Sequence, residues 1–380
     1  MVKDDYWTMR APTDAAEGAK AVGGGTPENR ANRATVRDVS ELAGVSTATV
    51  SRALNGIGTV DPGMRERVLA AAHELNYRPD PLARGLRRKV NNVFGMLIPD
   101  IENPFFTAMV RGAEDAAHGA GYLLLLCNTD GDVKKEKAYL DVLLDQRVGG
   151  FLLAVADERE SDLDEVISAG TPVVAVDRRR RDAMVDSVLV DNVAGAAAAT
   201  RWLIKQGYTR VATIAGPERT TTGAERLRGY LRAMDEAGLP IKDDLVVPGD
   251  FRAGGGYRAA IALLDGPDGR PDAIFVANNQ MTIGAVEAII DRGLGVPRDV
   301  AVACFDQLPP GLRFSDEIAT VEQPAYDMGH AAVQTLLRRI GGDATPVAEL
   351  RMQPELHAPL SSVPAGAPRD RARRRQATRP

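Results

Sequence analysis

One short stretch concentrates side chains suited to reading a nucleic acid. Between Thr47 and Asn55 the apolar Val50 and Leu54 stand four apart, so on a helix they share one face and leave Thr47, Ala48 and Arg52 on the other. An arginine so placed can donate two parallel hydrogen bonds to a guanine edge in the major groove. Thr47 and Ala48 can meet base edges there, including a thymine methyl. Around them Thr35, Ser46, Thr49, Ser51 and Asn55 are short donors of the kind that bind phosphates, which fixes register without reading sequence. Little else in the chain has reactive spacing. Cys127 and Cys304, and His73, His118, His330 and His357, lie far apart with no metal spacing or disulfide framework, which fits a reducing cytoplasm. No Gly-x-Ser-x-Gly, Cys/His pair or carboxylate dyad points to catalysis, and Gly254-Gly255-Gly256 has neither phosphate-loop nor dinucleotide spacing. The residues therefore predict a chain that is not an enzyme and uses no cofactor and no metal.

The elements that would hold those side chains are legible from caps and periodicity. Thr35 with Asp38 three residues on resembles a capping box, followed by Val36, Val39, Leu42 and Ala43 on one face. Gly44-Val45-Ser46 then supplies a turn and an N-cap for a second helix, and Asp61-Pro62 starts a third that runs to Leu75. Three short helices with a glycine turn between the first two make an all-α helix-turn-helix head over 33–78.

Charge sets this head apart. Residues 33–90 carry +4 and residues 369–380 carry +5, whereas 1–32 carry −1, leaving −13 on 91–368 of a chain whose net charge is −5. A basic head on an acidic body suits a polyanion-binding module joined to a domain with another task. Residues 1–32, with Gly23-Gly24-Gly25, and the Arg-rich 362–380 read as disordered tails.

From Asn92 apolar strand-like runs alternate with amphipathic helices: Val93–Ile98, Phe106–Gly119, Tyr122–Cys127, Lys135–Asp145, Gly150–Ala154, Leu163–Ala169 and Val173–Val176. After Asp191 the rhythm restarts with Ala194–Gln206, Arg210–Ile214, Glu225–Ala237, Val246–Val247, Tyr257–Leu264, Ala273–Ala277, Ile283–Arg292 and Val300–Cys304. This repeated βαβα order predicts an α/β core of two parallel-sheet lobes, with a ligand cleft at the facing carboxyl ends of their strands. No apolar run of 18 residues could span a membrane, and the first thirty residues lack a secretory layout, so a soluble cytoplasmic protein is expected.

The segment Thr35-Val-Arg-Asp-Val-Ser-Glu-Leu-Ala-Gly-Val-Ser-Thr-Ala-Thr-Val-Ser-Arg-Ala-Leu-Asn55, continued by Arg65-Glu66-Arg67-Val68 and Leu75-Asn76-Tyr77-Arg78-Pro79, closely resembles the DNA-binding head of the LacI/GalR repressor family. The resemblance implies that Tyr77 also serves DNA binding. It further implies a hinge at 79–90, where Ala83 and Leu86 hold the positions of a minor-groove wedge. The core at 91–361 resembles the same family and the periplasmic sugar-binding proteins. The pieces that carry this are Asn103-Pro104-Phe105-Phe106, Val176-Asp177-Arg178, Asp191-Asn192, Glu225-Arg226-Leu227-Arg228-Gly229-Tyr230, Gly249-Asp250-Phe251, Ala277-Asn278-Asn279-Gln280-Met281, Phe305-Asp306 and Gln323-Pro324.

Position by position, this implies effector contacts from Phe105, Phe106, Asp177, Thr222, Arg226, Phe251, Asn278 and Asp306, a set suited to polyols. Asn279 stands where an aspartate often follows the first asparagine, which implies an altered ligand preference. Lobe 1 would take 91–190 and 323–345, and lobe 2 would take 191–322 and 346–361. The implied protein is a homodimeric repressor, nucleoid-associated through operator DNA, whose DNA affinity is set by a small-molecule effector, most often a sugar. Closure of the lobes would couple the two sites. Two alternatives stand beside it, a solute-binding protein of a sugar transport system and an α/β enzyme.

Overall fold

A computed structural model describes residues 34–55, 60–75, 77, 91–180, 184–267 and 269–359. The chain divides into two units, Met1–Arg88 and Lys89–Pro380, each taken by itself below. The predicted hinge residues Ala83 and Leu86 and both predicted tails lie outside the described residues.

In the head, Thr35 caps α1 (Val36–Ala43): its hydroxyl oxygen accepts the Asp38 N–H, and the Asp38 carboxylate accepts the Thr35 N–H at 2.6 Å. Gly44 takes φ 62°, a left-handed conformation that closes the helix without a Cβ clash and begins the turn. Ser46 caps α2 (Thr47–Asn55) by accepting the Thr49 N–H at 3.1 Å. Asp61 caps α3 (Pro62–Glu74), whose first residue is the proline that needs no amide there. Val39, Ala43, Val50, Ala53, Val68, Ala71 and Ala72 are buried between the three helices, with Leu54, Leu75 and Tyr77 packed around them. Leu42 departs from expectation: it is 48% exposed. One residue is about 100° of helix turn, which carries Leu42 off the stripe made by Val39 and Ala43.

In chain order the core runs β1 (Val93–Ile98), α4 (Pro104–Gly119), β2 (Leu123–Asn128), α5 (Val133–Asp145), β3 (Gly150–Leu153), α6 (Asp164–Ser168), β4 (Val173–Val176), β5 (Asp186–Val190), α7 (Asn192–Lys205) and β6 (Val211–Ala215). It continues with α8 (Thr221–Glu236), β7 (Val246–Pro248), α9 (Ala253–Leu264), β8 (Ala273–Val276), α10 (Asn279–Asp291), β9 (Ala301–Phe305), β10 (Ala319–Glu322), α11 (Ala325–Ile340), β11 (Glu349–Met352) and β12 (Glu355–His357). These strands form two sheets, β11-β5-β4-β3-β1-β2 and β12-β10-β9-β8-β6-β7, parallel throughout except for antiparallel β12. Runs such as Val-Val-Ala-Val in β4 and Ala-Ile-Phe-Val in β8 are apolar at every position because helices cover both faces. The chain passes between the sheets at Asp191, at Gln323-Pro324 and at Gln353-Pro354.

The sequence reading assigns all of 346–361 to the second lobe. Instead β11 pairs with β5, Glu349 opposite Ser187, so it closes the edge of the first sheet before β12 joins the second. The tie is electrostatic as well: the Asp186 carboxylate binds the Arg339 guanidinium at 2.6 Å and accepts the Ala348 N–H at 2.9 Å. No helix among the described residues is long and apolar enough to cross a membrane.

Candidate ligand cleft and nucleic-acid face

Loops at the carboxyl ends of strands from both sheets converge on one cavity of about 110 Å³, in a measure where one water needs roughly 10–15 Å³. All eight residues expected there line it: Phe105, Phe106, Asp177, Thr222, Arg226, Phe251, Asn278 and Asp306. Phe105 and Phe106 arrive at the start of α4, which Asn103 caps by accepting the Phe105 N–H at 3.0 Å. Asp177 follows β4, Phe251 follows β7 and Asp306 follows β9, each with positive φ (60°, 65° and 72°) despite having a side chain. Strained conformations of this kind persist where the surrounding structure enforces them, and they gather at binding sites. Thr222 and Arg226 lie one turn apart on α8, and Asn278 caps α10.

Arg226 is the hub. It is 3% exposed, and its Nε donates to Asn192 Oδ1 at 2.8 Å while Nη1 donates to the Ala277 carbonyl at 2.8 Å. Its guanidinium lies 3.8 Å from the Phe305 ring centroid and 3.9 Å from the Asp306 carboxylate. Burial pushes this guanidinium down from its ordinary range while Asp306 and Asp177 hold it up. Burial raises the Asp177 carboxyl against the pull of Arg178 and Arg226. It raises Asp306 likewise, against Arg226, the Gln323 side chain and a backbone hydrogen bond from Asn279. Buried carboxylates and guanidinium groups thus face one small space, and each retains capacity that a polar ligand could use.

Further residues line the cavity without having been singled out as contacts, among them Asn103, Arg178 and Gln323. Arg178 lies 3.4 Å from the Asp177 carboxylate and 5.6 Å from the Phe251 ring. Gln323 donates to Asp306 while its own Oε1 is buried without a partner. Each belonged to a recognised segment, so proximity to Asp177, Phe105 or a crossover was the available signal.

On the head, Thr47, Ala48 and Arg52 are exposed together, as the helix period requires, and Arg52 Nε makes a long 3.4 Å bond to the Ala48 carbonyl. The hydroxyls of Ser46 and Thr49 share a 2.9 Å bond, Ser51 is partly buried, and the Thr35 hydroxyl is spent on Asp38 at 2.8 Å. Tyr77 packs against the head core, α2 ends at Asn55, and the side chain of Asn55 lies outside the described set. No group of His, Cys, Asp or Glu among the described residues could hold a metal ion.

Comparison with known proteins places both units. Residues 35–80 match the family described as bacterial regulatory proteins, lacI family. Residues 91–359 match periplasmic binding proteins and sugar binding domain of LacI family. The ribose operon repressor of Escherichia coli (strain K12) is 37% identical over 324 residues, covering 85% of this chain and 98% of that protein. The HTH-type transcriptional repressor PurR of Photobacterium profundum is 33% identical over 327 residues, covering 85% and 97%. Among solved structures, the lac repressor dimer bound to operator and the anti-inducer ONPF superposes with a TM-score of 0.75 at 27% identity, covering 85% of this chain and 97% of that one.

Proposed function

The chain belongs to the LacI family of bacterial regulatory proteins, and from that premise we propose that it is a homodimeric, operator-binding repressor whose small-molecule effector is D-ribose or a close pentose. The observation that carries the ligand assignment is the cavity between the lobes. It sets acceptor-only carboxylates, Asp177 and Asp306, beside donor-only guanidiniums, Arg178 and Arg226, with phenyl rings at its wall. A hydroxyl both donates and accepts, so a compact polyol can satisfy such a mixed set at every position. A purine ring offers fewer groups of that dual kind. The resemblance to a ribose operon repressor points the same way.

On the head, Thr47, Ala48 and Arg52 read bases. Ser46, Thr49, Ser51, Asn55 and Tyr77 hold the backbone, with Thr35 contributing mainly by capping α1 toward it, and Ala83 and Leu86 form the hinge wedge. A second copy would cover edge strand β2, whose Leu123, Leu125 and Leu126 are 67%, 46% and 37% exposed. The protein works in the cytoplasm, binds rather than transforms its ligand, and needs the helix-turn-helix head that a transport protein would lack.

The test is thermal unfolding with D-ribose, other pentoses, hexoses, hypoxanthine and guanine, beside an operator gel shift. A ligand at 100 times its dissociation constant should stabilise the core by about 2.7 kcal/mol, and the same ligand should change operator affinity. Stabilisation by a nucleobase and by none of the sugars would overturn the assignment.

A further inference from the structure

Several contacts cross the cleft from one lobe to the other, and most lie at its rim. Arg252 donates to the Asp130 carbonyl at 3.1 Å, and Arg219 lies 3.9 Å from the Asp157 carboxylate. The Glu158 carboxylate accepts the amide and the hydroxyl of Thr221. The Arg219 side chain is 68% exposed, so its pair is screened and contributes little. One contact differs. Asn279, the first residue of α10 in the second lobe, donates from Nδ2 to Oδ1 of Asn103, which caps α4 in the first lobe, at 3.0 Å. The two residues are 1% and 6% exposed.

The surroundings fix which atom must be the donor. Asn103 Oδ1 already accepts the Phe105 N–H, so it faces Asn279 as an acceptor. Asn279 Nδ2 also donates to the Gln307 carbonyl at 3.2 Å, and its Oδ1 accepts the Gln280 N–H at 2.7 Å. The amide is therefore used on both sides and cannot be turned over without loss.

We propose that Asn279, through this bond to Asn103, sets how far the ligand-free lobes close and thereby the effector affinity; the second half rests on reading the cleft as the effector site. An aspartate here would put an acceptor against two acceptors, beside the Asp306 carboxylate that the Asn279 backbone N–H serves. Opening the lobes would let water reach that carboxylate and relieve the conflict. The amide latches the closed form, whereas the acid would hold it open. Affinity follows because a ligand that binds the closed form is weakened by the fraction of protein that is open.

The experiment uses the intact protein with Asn279→Asp and Asn279→Ala. Spin labels on Glu160→Cys and Glu218→Cys, exposed positions on the two lobes, report closure in a Cys127→Ser background. Without ligand, Asn279→Asp should lengthen the label-to-label distance, and Asn279→Ala should do so less. D-ribose affinity should fall roughly 5- to 150-fold in Asn279→Asp, while a cooperative melt and an unchanged circular dichroism spectrum rule out misfolding. Unchanged distances in both variants overturn the latch whatever the ligand proves to be. Lengthened distances in a protein that never binds ribose would instead sink the pentose assignment and leave the latch standing.

Discussion

Asp177 holds its carboxylate at 5% exposure on a left-handed backbone, with Arg178 3.4 Å away and Arg226 lining the same cavity. Removing two opposite charges from water costs more than their attraction returns unless further hydrogen bonds complete the set. Burial raises the Asp177 carboxyl despite the pull of both arginines. A folded-state pKa above the ordinary 3.8 means the native protein holds this proton more tightly than the unfolded chain, so stability falls as pH rises from 3.8 through the raised value. Asp177→Asn removes the titrating group but also takes a partner from Arg178 and Arg226. We expect a flatter pH profile of stability and roughly tenfold weaker effector binding. Melting curves from pH 4 to 8 with calorimetry decide it, and an unchanged pH profile with unchanged affinity would refute the role. The eight residues that resemblance singled out line one cavity, and Arg178, Asn103 and Gln323, which it passed over, line it too. Arg178 opens a run of four arginines that looks like a solvated surface, and only the turn after β4 folds its first member inward. Gln323 matters because a crossover between lobes brings it to Asp306, seventeen residues away, and no periodicity reports that.

Among the elements, those with strong local signals were the legible ones. The caps at Thr35, Ser46 and Asp61 and the continuous apolar runs of β1, β4, β8 and β9 announce themselves. The alternation read from the sequence omits β5, β10, α11, β11 and β12. Strand β5 reads Asp-Ser-Val-Leu-Val, with its polar start buried by the bond to Arg339. Strand β11 keeps two charged residues because, among the described residues, it is an edge paired to β5 alone. Such strands are specified by distant partners, which a local pattern does not contain. The recognition helix is the opposite case, since its period alone separates Val50 inside from Thr47, Ala48 and Arg52 outside. Arg52→Ala should therefore leave the head folded, because no buried contact is lost. It should cost roughly 1–3 kcal/mol on the cognate operator and relax preference at one base pair per half-site. Equal loss on cognate and random DNA, measured by fluorescence anisotropy, would reduce Arg52 to a phosphate contact.

At the scale of the whole molecule, charge is distributed by task. The segment that meets DNA carries +4, and the acidic body at 91–368 carries −13. A uniformly acidic protein would be repelled by the polyanion it must bind. Confining positive charge to the head keeps attraction local, while the body discourages wrapping on random DNA. The cleft differs: Asp177, Arg226 and Asp306 are buried charges of opposite sign, and on the proposed reading they receive a neutral polyol, so counterions have little to compete for. The two binding equilibria should accordingly part company in salt. Operator affinity should fall linearly on a double-logarithmic plot, by about 10³–10⁵ between 50 and 200 mM salt if the dimer neutralises roughly 6–10 phosphates. Effector affinity over the same range should change less than about twofold, because buried pairs are screened far less than exposed ones. Titrating one protein preparation with labelled operator and, separately, with D-ribose at four salt concentrations measures both slopes. A shallow operator slope would mean that the basic head does not carry the DNA affinity. A steep effector slope would mean that the ligand is itself charged, which would replace the neutral pentose with a phosphorylated one.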